Sequence, residues 1–290
     1  MKIEELRIPA PWGHIAAKSW GCSNDYVILV HGNGDNAGGF DGLIPLLPSN
    51  YTYISIDLPG HGLSPPFPKS HPVHVLDIVL VIKIVFNYFE KNDYVLIGHS
   101  MGAISSMLYT MIYPDKVKKL VTLDMAGPYS YSPVQYANIL LNQFVLVDEV
   151  NLNKNAKKCL SFEEWTTKLM KIRGLNKKAA ESLMTRMLRL SDNDLYYIEY
   201  DKRGKSIIGH DGLKDHVIEM YKERPIKCPF LIILSTQFPT NMVYLDLRRF
   251  LTKKGVKIEI VNGNHDVHIN YPEILSGFVS SFLISTQNKL

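Results

Sequence analysis

The sequence has 290 residues, of which 46% are hydrophobic and 21% are charged, and its formal net charge is +4. This length and composition indicate an ordinary soluble globular protein, built as one large α/β domain or as one domain that carries an insertion. Nucleic-acid binding is disfavoured, because the net charge is small, the basic residues are scattered and no arginine-rich motif is present.

The cysteines give no sign of a disulfide framework or a zinc site. Cys22, Cys159 and Cys228 are odd in number and widely spaced along the chain. A secreted disulfide scaffold or a metal cluster needs closer and recurring spacings. We therefore expect a reducing compartment, and the cytoplasm is the predicted location.

No stretch has the character of a signal peptide or a membrane span. Residues 1–7 lack an apolar core, and the most apolar run, Val75–Phe89, is interrupted by Asp77 and Lys83. Such a run predicts a buried helix rather than an integral membrane segment. The last residues, Asn288-Lys289-Leu290, loosely resemble the Ser-Lys-Leu peroxisomal address, which gives the peroxisome as a second predicted location.

The first half of the chain predicts strands that alternate with loops rich in glycine. Residues 3–8 and 14–19 form a predicted hairpin, and the continuous apolar run Tyr26–Val30 predicts a strand buried on both faces of a parallel sheet. Residues 31–39 contain four glycines, which let the backbone approach a ligand closely. We interpret this loop as half of an oxyanion site, with the N–H of Asn33 as donor. A phosphate-binding loop is the alternative, but the Lys-Ser/Thr of a P-loop is missing.

Residues 43–47 predict a short helix or turn, and Tyr51–Ile56 predicts the next strand. The turn at residues 57–64 contains Asp57 and His61, for which we expect a structural role in hydrogen bonding the turn rather than direct catalysis. Val75–Phe89 predicts a long helix packed on the sheet, since its length outweighs its β-branched content.

Residues 94–113 predict a strand, a sharp turn and a helix around the sequence Gly98-His99-Ser100-Met101-Gly102. In such a turn the central residue takes a strained conformation, and a Cβ two positions before or after it would clash. The Ser100 hydroxyl is therefore a candidate nucleophile, and the N–H of Met101 at the new helix start is a candidate oxyanion donor. A plain tight turn is the alternative interpretation.

The rhythm of parallel βαβ units continues to the strand Lys119–Leu123 and then stops. Residues 129–225, which we call the insert, show helical periodicity, with amphipathic helices predicted at Phe162–Arg173 and Lys177–Leu190 and a strand only at residues 206–208. We predict that the insert is a helical cap over the carboxyl edge of the sheet. Residues 1–128 and 226–290 are the predicted core domain.

The sheet is predicted to resume at Pro229–Ser235, followed by a helix at Met242–Lys253 and a strand at Val256–Val261. Residues 262–268 then form a loop, and Tyr271-Pro272 begins the final helix, because proline is accepted in a first turn.

A serine nucleophile needs a base, and the base needs a group that holds its tautomer. The candidate bases after the last strand are His265 and His268; we favour His265, which lies nearer the strand end in a loop that contains Asn-Gly-Asn. The acid is expected directly after Pro229–Ser235, where no carboxylate is found. Asp124, at the end of the preceding strand on the same edge, is the preferred acid; the alternatives are Asp246, inside a helix, and Asp266, beside the base.

Five segments together resemble the α/β-hydrolase fold family, and within it the serine hydrolase-like, or kraken-like, branch. They are Pro-Ala-Pro-Trp-Gly-His-Ile-Ala at 9–16, the loop at 31–38, Asp-Leu-Pro-Gly-His-Gly-Leu-Ser at 57–64, Gly-His-Ser-Met-Gly-Ala at 98–103, and residues 263–273. The insert matches least well. A dehalogenase or an epoxide hydrolase would need a carboxylate at position 100, so serine disfavours both activities.

The resemblance implies a mostly parallel sheet flanked by helices and the hydrolysis of a carboxylic ester or related acyl compound, without a cofactor. The nucleophile of the family falls on Ser100, its base on His265, and its oxyanion donors on the amides of Asn33 and Met101. Related dehalogenases carry an acid at the strand end that corresponds to Asp124. The expected partner is a small, apolar acyl substrate. A slow or inactive ligand receptor on the same fold, and acyl transfer to an acceptor other than water, stay open, and the sequence does not indicate an oligomeric state.

Overall fold

The computed structural model describes residues 1–91, 93–128, 131–152, 158–207, 209, 214–238 and 242–286. The strands, in chain order, are β1 (Ile3–Ala10), β2 (Gly13–Trp20), β3 (Tyr26–Val30), β4 (Thr52–Ile56), β5 (Tyr94–His99), β6 (Val117–Leu123), β7 (Leu188–Leu190), β8 (Tyr196–Ile198), β9 (Phe230–Ser235) and β10 (Lys257–Val261). Within these residues, eight strands form one sheet in the order β1-β2-β4-β3-β5-β6-β9-β10, and β7 pairs with β8 separately.

The main sheet is mostly parallel, as predicted. The opening hairpin β1–β2 is antiparallel and joins β4 in an antiparallel pair, and every later pair from β4–β3 to β9–β10 is parallel. The apolar runs of β5 and β9 are buried along their whole length. Continuous burial of this kind fits central strands that are covered on both faces.

Helices cover both faces of the sheet. The helices are α1 (Val75–Phe89), α2 (Met101–Ile112), α3 (Pro133–Asn151), α4 (Phe162–Arg173), α5 (Lys177–Met187), α6 (Lys214–Glu223), α7 (Met242–Lys253), α8 (Val267–Asn270) and α9 (Pro272–Ile284). One hydrophobic cluster joins the sheet to residues of α1, α2, α6 and α7. A second cluster, on the other face, joins it to α9 and to the helical turns between residues 37 and 46.

Helix α1 has the predicted bounds, and its charges explain why an apolar run can be a helix of a folded domain. Asp77 accepts a hydrogen bond from the N–H of His74 at 2.7 Å and so caps the start of the helix. Lys83 is exposed. Both charges therefore lie outside the core, and no helix in the described part of the chain has the length and apolar character to cross a membrane.

Two sequence predictions inside the insert are wrong. The helix predicted over 177–190 ends at Met187, and Leu188–Leu190 becomes a strand, because it pairs with aromatic and β-branched residues at 196–198 that favour extended backbone. The strand predicted at 206–208 is absent at its described residues, since Lys202–Ser206 forms a 3-10 turn after Asp201, whose side chain accepts from the N–H of Arg203. Ile208 lies outside the described residues, as do the tail residues 288–290.

The insert contacts the loops that follow β3 and β4. The Asn36 side chain donates to the carbonyl of Leu183 at 2.9 Å, and Arg186 donates to Asp57 at 2.7 Å. Because β3 and β4 are parallel neighbours, these loops share the carboxyl edge of the sheet. The division of the chain into core and cap stays a prediction.

Candidate active site

Ser100 lies at the turn between β5 and α2. Its φ is 50° and its ψ is −116°, a conformation that residues other than glycine rarely adopt. The N–H of Ser100 donates to the carbonyl of Leu123 at 3.1 Å, which ties the turn to the end of β6. Strain held in this way indicates a functional constraint on the residue.

The glycines around Ser100 are required by space, as predicted. A Cβ on Gly98 would lie 2.6 Å from the Cα of Ala103, and a Cβ on Gly102 would lie 2.5 Å from the carbonyl oxygen of His31. Neither position therefore accepts a side chain without movement of the backbone.

The loop after β3 approaches Ser100 closely. A Cβ on Gly32 would lie 3.0 Å from the Cβ of Ser100. Asn33, the next residue, lines a cavity of about 300 Å³ together with Ser100 and Met101. Among the described residues, the backbone N–H groups of Asn33 and Met101 have no acceptor. Neither N–H is therefore used by the described part of the fold.

Two buried histidines fix the same loop. His31 Nε2 accepts from the N–H of Leu58 at 2.9 Å, and His61 Nε2 accepts from the N–H of Gly34 at 3.1 Å. Burial lowers the pKa of both imidazoles, to about 4 for His31, so both stay neutral and able to accept. His61 has the predicted structural role, but it stabilises the loop after β3 as well as its own turn.

His265 and Asp124 are hydrogen bonded. His265 Nδ1 donates to Asp124 Oδ2 at 2.6 Å, and the N–H of Ser235 donates to Asp124 Oδ1 at 2.6 Å. Burial lowers the pKa of His265, but the hydrogen bond and charge of Asp124 outweigh burial, so the pKa is raised. The carboxylate is 2% exposed and the imidazole 49% exposed, which leaves Nε2 on the open side of the pair.

Sheet register brings this pair near Ser100. His99 at the end of β5 pairs with Leu123 at the end of β6, so the next residues, Ser100 and Asp124, leave neighbouring strands side by side. His99 Nε2 donates to the carbonyl of His265 at 3.0 Å. The Ser100 hydroxyl and the His265 imidazole, both described, are not themselves hydrogen bonded; catalytic hydrogen bonds are often long until substrate binds.

The other candidates from the sequence lie elsewhere. Asp246, on α7, is within 3.5 Å of Arg249. Asp266 is hydrogen bonded to Arg173 rather than to His265. His268 is 1% exposed and packs on the ring of His99, with the ring centroids 3.9 Å apart.

Sequence reasoning missed Arg173, the last residue of α4. Its guanidinium donates to Asp35 Oδ1 at 2.6 Å and to both carboxylate oxygens of Asp266. Burial alone would raise the pKa of Asp35, but the Arg173 charge outweighs it and holds that pKa well below its ordinary value. An arginine in the last turn of an amphipathic helix is normally a surface residue, so the sequence carried no signal for this contact.

One group of described residues offers metal-binding donor types. The donor atoms of Asp35, His99 and His268 lie within 4.8 Å of one another, and all three side chains are buried. Burial, the His99 imidazole and the Arg173 charge lower the pKa of His268, and the same positive charge opposes a divalent cation. We assign this cluster no metal.

The cavity beside Ser100 is lined by both polar and apolar groups, with the apolar surface slightly larger. Among the described residues that line it, Lys205 carries the single charge. The remaining lining includes Val75, Met101, Ile104, Ile139 and Ile207. This surface suits the apolar part of a small molecule with its polar end near Ser100.

Comparisons with known proteins agree with this architecture. A family model described as "alpha/beta hydrolase fold" matches residues 25–164. A serine hydrolase-like protein of Mus musculus is 29% identical over 305 residues, covering 98% of this chain and 96% of the mouse protein. A Drosophila melanogaster protein named "Probable serine hydrolase" is 30% identical over 295 residues, and the match covers 97% of this chain and 87% of the Drosophila protein.

Solved structures show the same fold. The thioesterase domain from the curacin biosynthetic pathway has a TM-score of 0.80 and 18% identity, covering 96% of this chain and 99% of that domain. Identity this low supports the arrangement of strands and helices and carries nothing about substrate.

Proposed function

The chain belongs to the α/β-hydrolase fold family, among the serine hydrolase-like proteins, and from that premise we propose that it hydrolyses a carboxylic ester or a related acyl compound. The proposed nucleophile is Ser100, the base is His265 and the acid is Asp124. The observation that carries the proposal is the 2.6 Å hydrogen bond between His265 and Asp124, formed at the carboxyl edge of the sheet, one strand from Ser100.

In the proposed mechanism, Ser100 Oγ attacks the acyl carbonyl carbon while His265 Nε2 takes the hydroxyl proton. Asp124 holds the Nδ1–H tautomer and stabilises the imidazolium as it forms. The alkoxide or thiolate that leaves takes the proton from His265, and an acyl-serine remains. Water then attacks the acyl carbon with His265 again as base, and the carboxylic acid and free Ser100 are formed.

The negative oxygen of each tetrahedral intermediate would be held by the N–H groups of Asn33 and Met101. Both residues line the cavity with Ser100. Loss of one such donor typically costs about 3–4 kcal/mol of transition-state stabilisation. All of these steps use side chains, amides and water, so no cofactor enters the proposal.

The size of the cavity limits the acyl group. Its volume is about 300 Å³. At about 30 Å³ for each water-sized unit, it holds about ten non-hydrogen atoms. The aliphatic side chains in the lining favour an acyl group of that size with an apolar part, and the polar part of the lining also accepts a polar substituent. We propose that the insert, as a cap, supplies part of this lining through residues such as Ile139 and Ile207.

A second candidate, a ligand receptor with an inactive site, is favoured by one observation. Ser100 and His265 are not hydrogen bonded, although both belong to the described chain. If this separation persists when ligand binds, Ser100 has no base and the cavity serves only for binding.

A fluorophosphonate probe separates the two candidates, because it labels an activated serine and leaves an inactive one free. We expect labelling of the wild type and hydrolysis of a short-chain p-nitrophenyl ester, and loss of both in Ser100→Ala. Ser106→Ala is the matched control, since this buried α2 serine has no hydrogen-bond partner for its hydroxyl in the described chain. Unchanged labelling of Ser100→Ala would remove Ser100 as nucleophile, and an unlabelled wild type would favour the receptor.

A further inference from the structure

Arg173 joins two loops that lie far apart in the chain. Asp35 is two residues after Asn33 in the loop that follows β3, and Asp266 directly follows His265 in the loop after β10. The guanidinium contacts both carboxylates and is itself 19% exposed. A residue of the insert therefore bridges the loop of the proposed oxyanion donor and the loop of the proposed base.

Backbone contacts beside Arg173 reinforce this bridge. Gly174 ends α4 in the left-handed conformation, and its carbonyl accepts from Asn270 Nδ2 at 3.1 Å. The N–H of Asn176 donates to Asn270 Oδ1 at 2.8 Å, and Asn176 Nδ2 donates to the carbonyl of Asn270 at 2.7 Å. The turn between α4 and α5 is thus hydrogen bonded to α8, the short helix that directly follows the loop after β10.

We propose that Arg173 is a positioning residue, which sets the loop of His265 and the loop of Asn33 relative to each other and to Ser100. This inference rests on the proposed function. A planar guanidinium with a pair of hydrogen bonds to Asp266 fixes direction as well as distance, which a point charge on a flexible stem does not. A buried ion pair adds little net stability, since desolvation offsets attraction, so geometry is the better reason for this one.

The charge of Arg173 also affects the base. The groups that face His265 are the carboxylates of Asp124, Asp266 and Asp35, the imidazoles of His99 and His268, and, behind two of the carboxylates, the guanidinium of Arg173. Burial is the largest single effect on the pKa of His265 and lowers it, whereas Asp124, Asp266 and Asp35 all raise it. Without Arg173, the negative charge of Asp266 beside His265 would be uncompensated, and the pKa of His265 would rise further.

The test compares two variants. Arg173→Met removes both the positive charge and the planar guanidinium with its paired hydrogen bonds, whereas Arg173→Lys keeps the positive charge alone. For Arg173→Met we expect kcat for a short-chain ester to fall about 10- to 100-fold, as small misplacements of reacting groups do, with KM changed by less than about threefold. The acid limb of its kcat/KM profile should move to higher pH. Arg173→Lys should lose kcat but keep the acid limb near that of the wild type.

Arg189→Met is the matched control. Arg189 also belongs to the insert, is 25% exposed and contacts Glu199. It contacts neither of the two loops among its described hydrogen bonds, so we expect its kcat and acid limb to match the wild type.

Several outcomes would overturn the proposal. One is a folded Arg173→Met with kcat within twofold of the wild type and an unmoved acid limb. Should Arg173→Met fail to fold, Arg173→Lys decides, and a kcat within twofold of the wild type rejects the positioning role. If the wild type turns over no ester, the proposed function fails separately; an NMR titration of His265 then still tests Arg173, and an unchanged pKa in the folded variant contradicts the bridge.

Discussion

Replacing Asp124 with asparagine changes one carboxylate oxygen into an amino group and preserves the size of the side chain. Both oxygens of Asp124 are used, Oδ1 by the N–H of Ser235 and Oδ2 by Nδ1 of His265, each at 2.6 Å. The Ser235 amide belongs to the end of β9 and cannot turn away. The two donors therefore compete for a single remaining acceptor in the variant.

The buried backbone amide decides this competition. With the amino group toward Ser235, two donors would face each other and a buried N–H would lose its partner, which costs about 1–3 kcal/mol. The amide oxygen should therefore stay on Ser235, and the amino group should face His265. Nδ1 of the imidazole must then accept, which moves the proton to Nε2, the atom that has to receive the proton of Ser100.

A base held in the wrong tautomer loses about 10⁴-fold in kcat in the serine-protease precedent. At about 1.36 kcal/mol for each factor of ten, this corresponds to about 5.4 kcal/mol of transition-state stabilisation. Because the bond to Ser235 is kept and the volume is unchanged, the free energy of unfolding should change by less than about 1 kcal/mol.

The assay is hydrolysis of a short-chain p-nitrophenyl ester by folded Asp124→Asn, with Asp246→Asn as the control. Asp246 is a carboxylate on α7 near Arg249, away from the base, so its variant should keep wild-type activity. If Asp124→Asn retains more than about a tenth of the wild-type kcat, the tautomer argument is wrong and Asp124 leaves the proposed triad.

Three further predictions follow from the same geometry. Since Asp124 raises the pKa of His265, the acid limb of kcat/KM should have its midpoint above the ordinary histidine value of 6.5, which a pH–rate profile measures. The raised pKa also means that the protonated imidazole stabilises the fold below pH 6.5, and that this stabilisation is lost as pH rises through the folded-state pKa. Urea unfolding at several pH values measures this second effect. Gly102→Ala should lower the free energy of unfolding by about 1–3 kcal/mol or prevent folding, because the new Cβ meets the carbonyl oxygens of Val30 and His31, whereas Gly277→Ala in α9, with open space around it, should gain about 0.5–1 kcal/mol by the same urea unfolding. With a series of p-nitrophenyl acyl esters, kcat/KM should decline once the acyl group exceeds about ten non-hydrogen atoms, and an undiminished rate for much longer chains would contradict the cavity of about 300 Å³ as the acyl site.

The nucleophile turn could be predicted from sequence because its constraints are local. Nine consecutive positions hold the apolar strand, the strained central residue and the two glycines, and local sterics explain each of them. The bounds of α1 were equally accessible, since length and capping decide them. His265 was found by elimination, as one of two histidines after the last strand.

Contacts made through the insert could not be predicted in this way. The hairpin β7–β8 depends on a partner strand that overrides the helical periodicity of residues 177–190. The bridge from Arg173 to Asp35 joins residues 138 positions apart, and Arg173 lies outside every motif of the sequence. Contacts of this kind depend on how the helices of the insert pack on the loops of the sheet. No short sequence pattern indicates that packing arrangement.

The missing carboxylate after β9 does not by itself leave His265 without a possible partner. Strand β6 lies between β5 and β9 in the sheet, so the end of β6 adjoins the strand of Ser100 on one side and the expected acid position on the other. Asp124 lies at the end of β6 and accepts a hydrogen bond from the N–H of Ser235. Ser235 is the last residue of β9, directly before the position where the sequence predicts an acid. With a φ of 49°, Asp124 turns out of the strand direction, and its second oxygen reaches His265. The position of the proposed acid therefore depends on adjacency in the sheet rather than on order along the chain, and a carboxylate at the end of β6 can contact a histidine whose loop follows the edge strand β10.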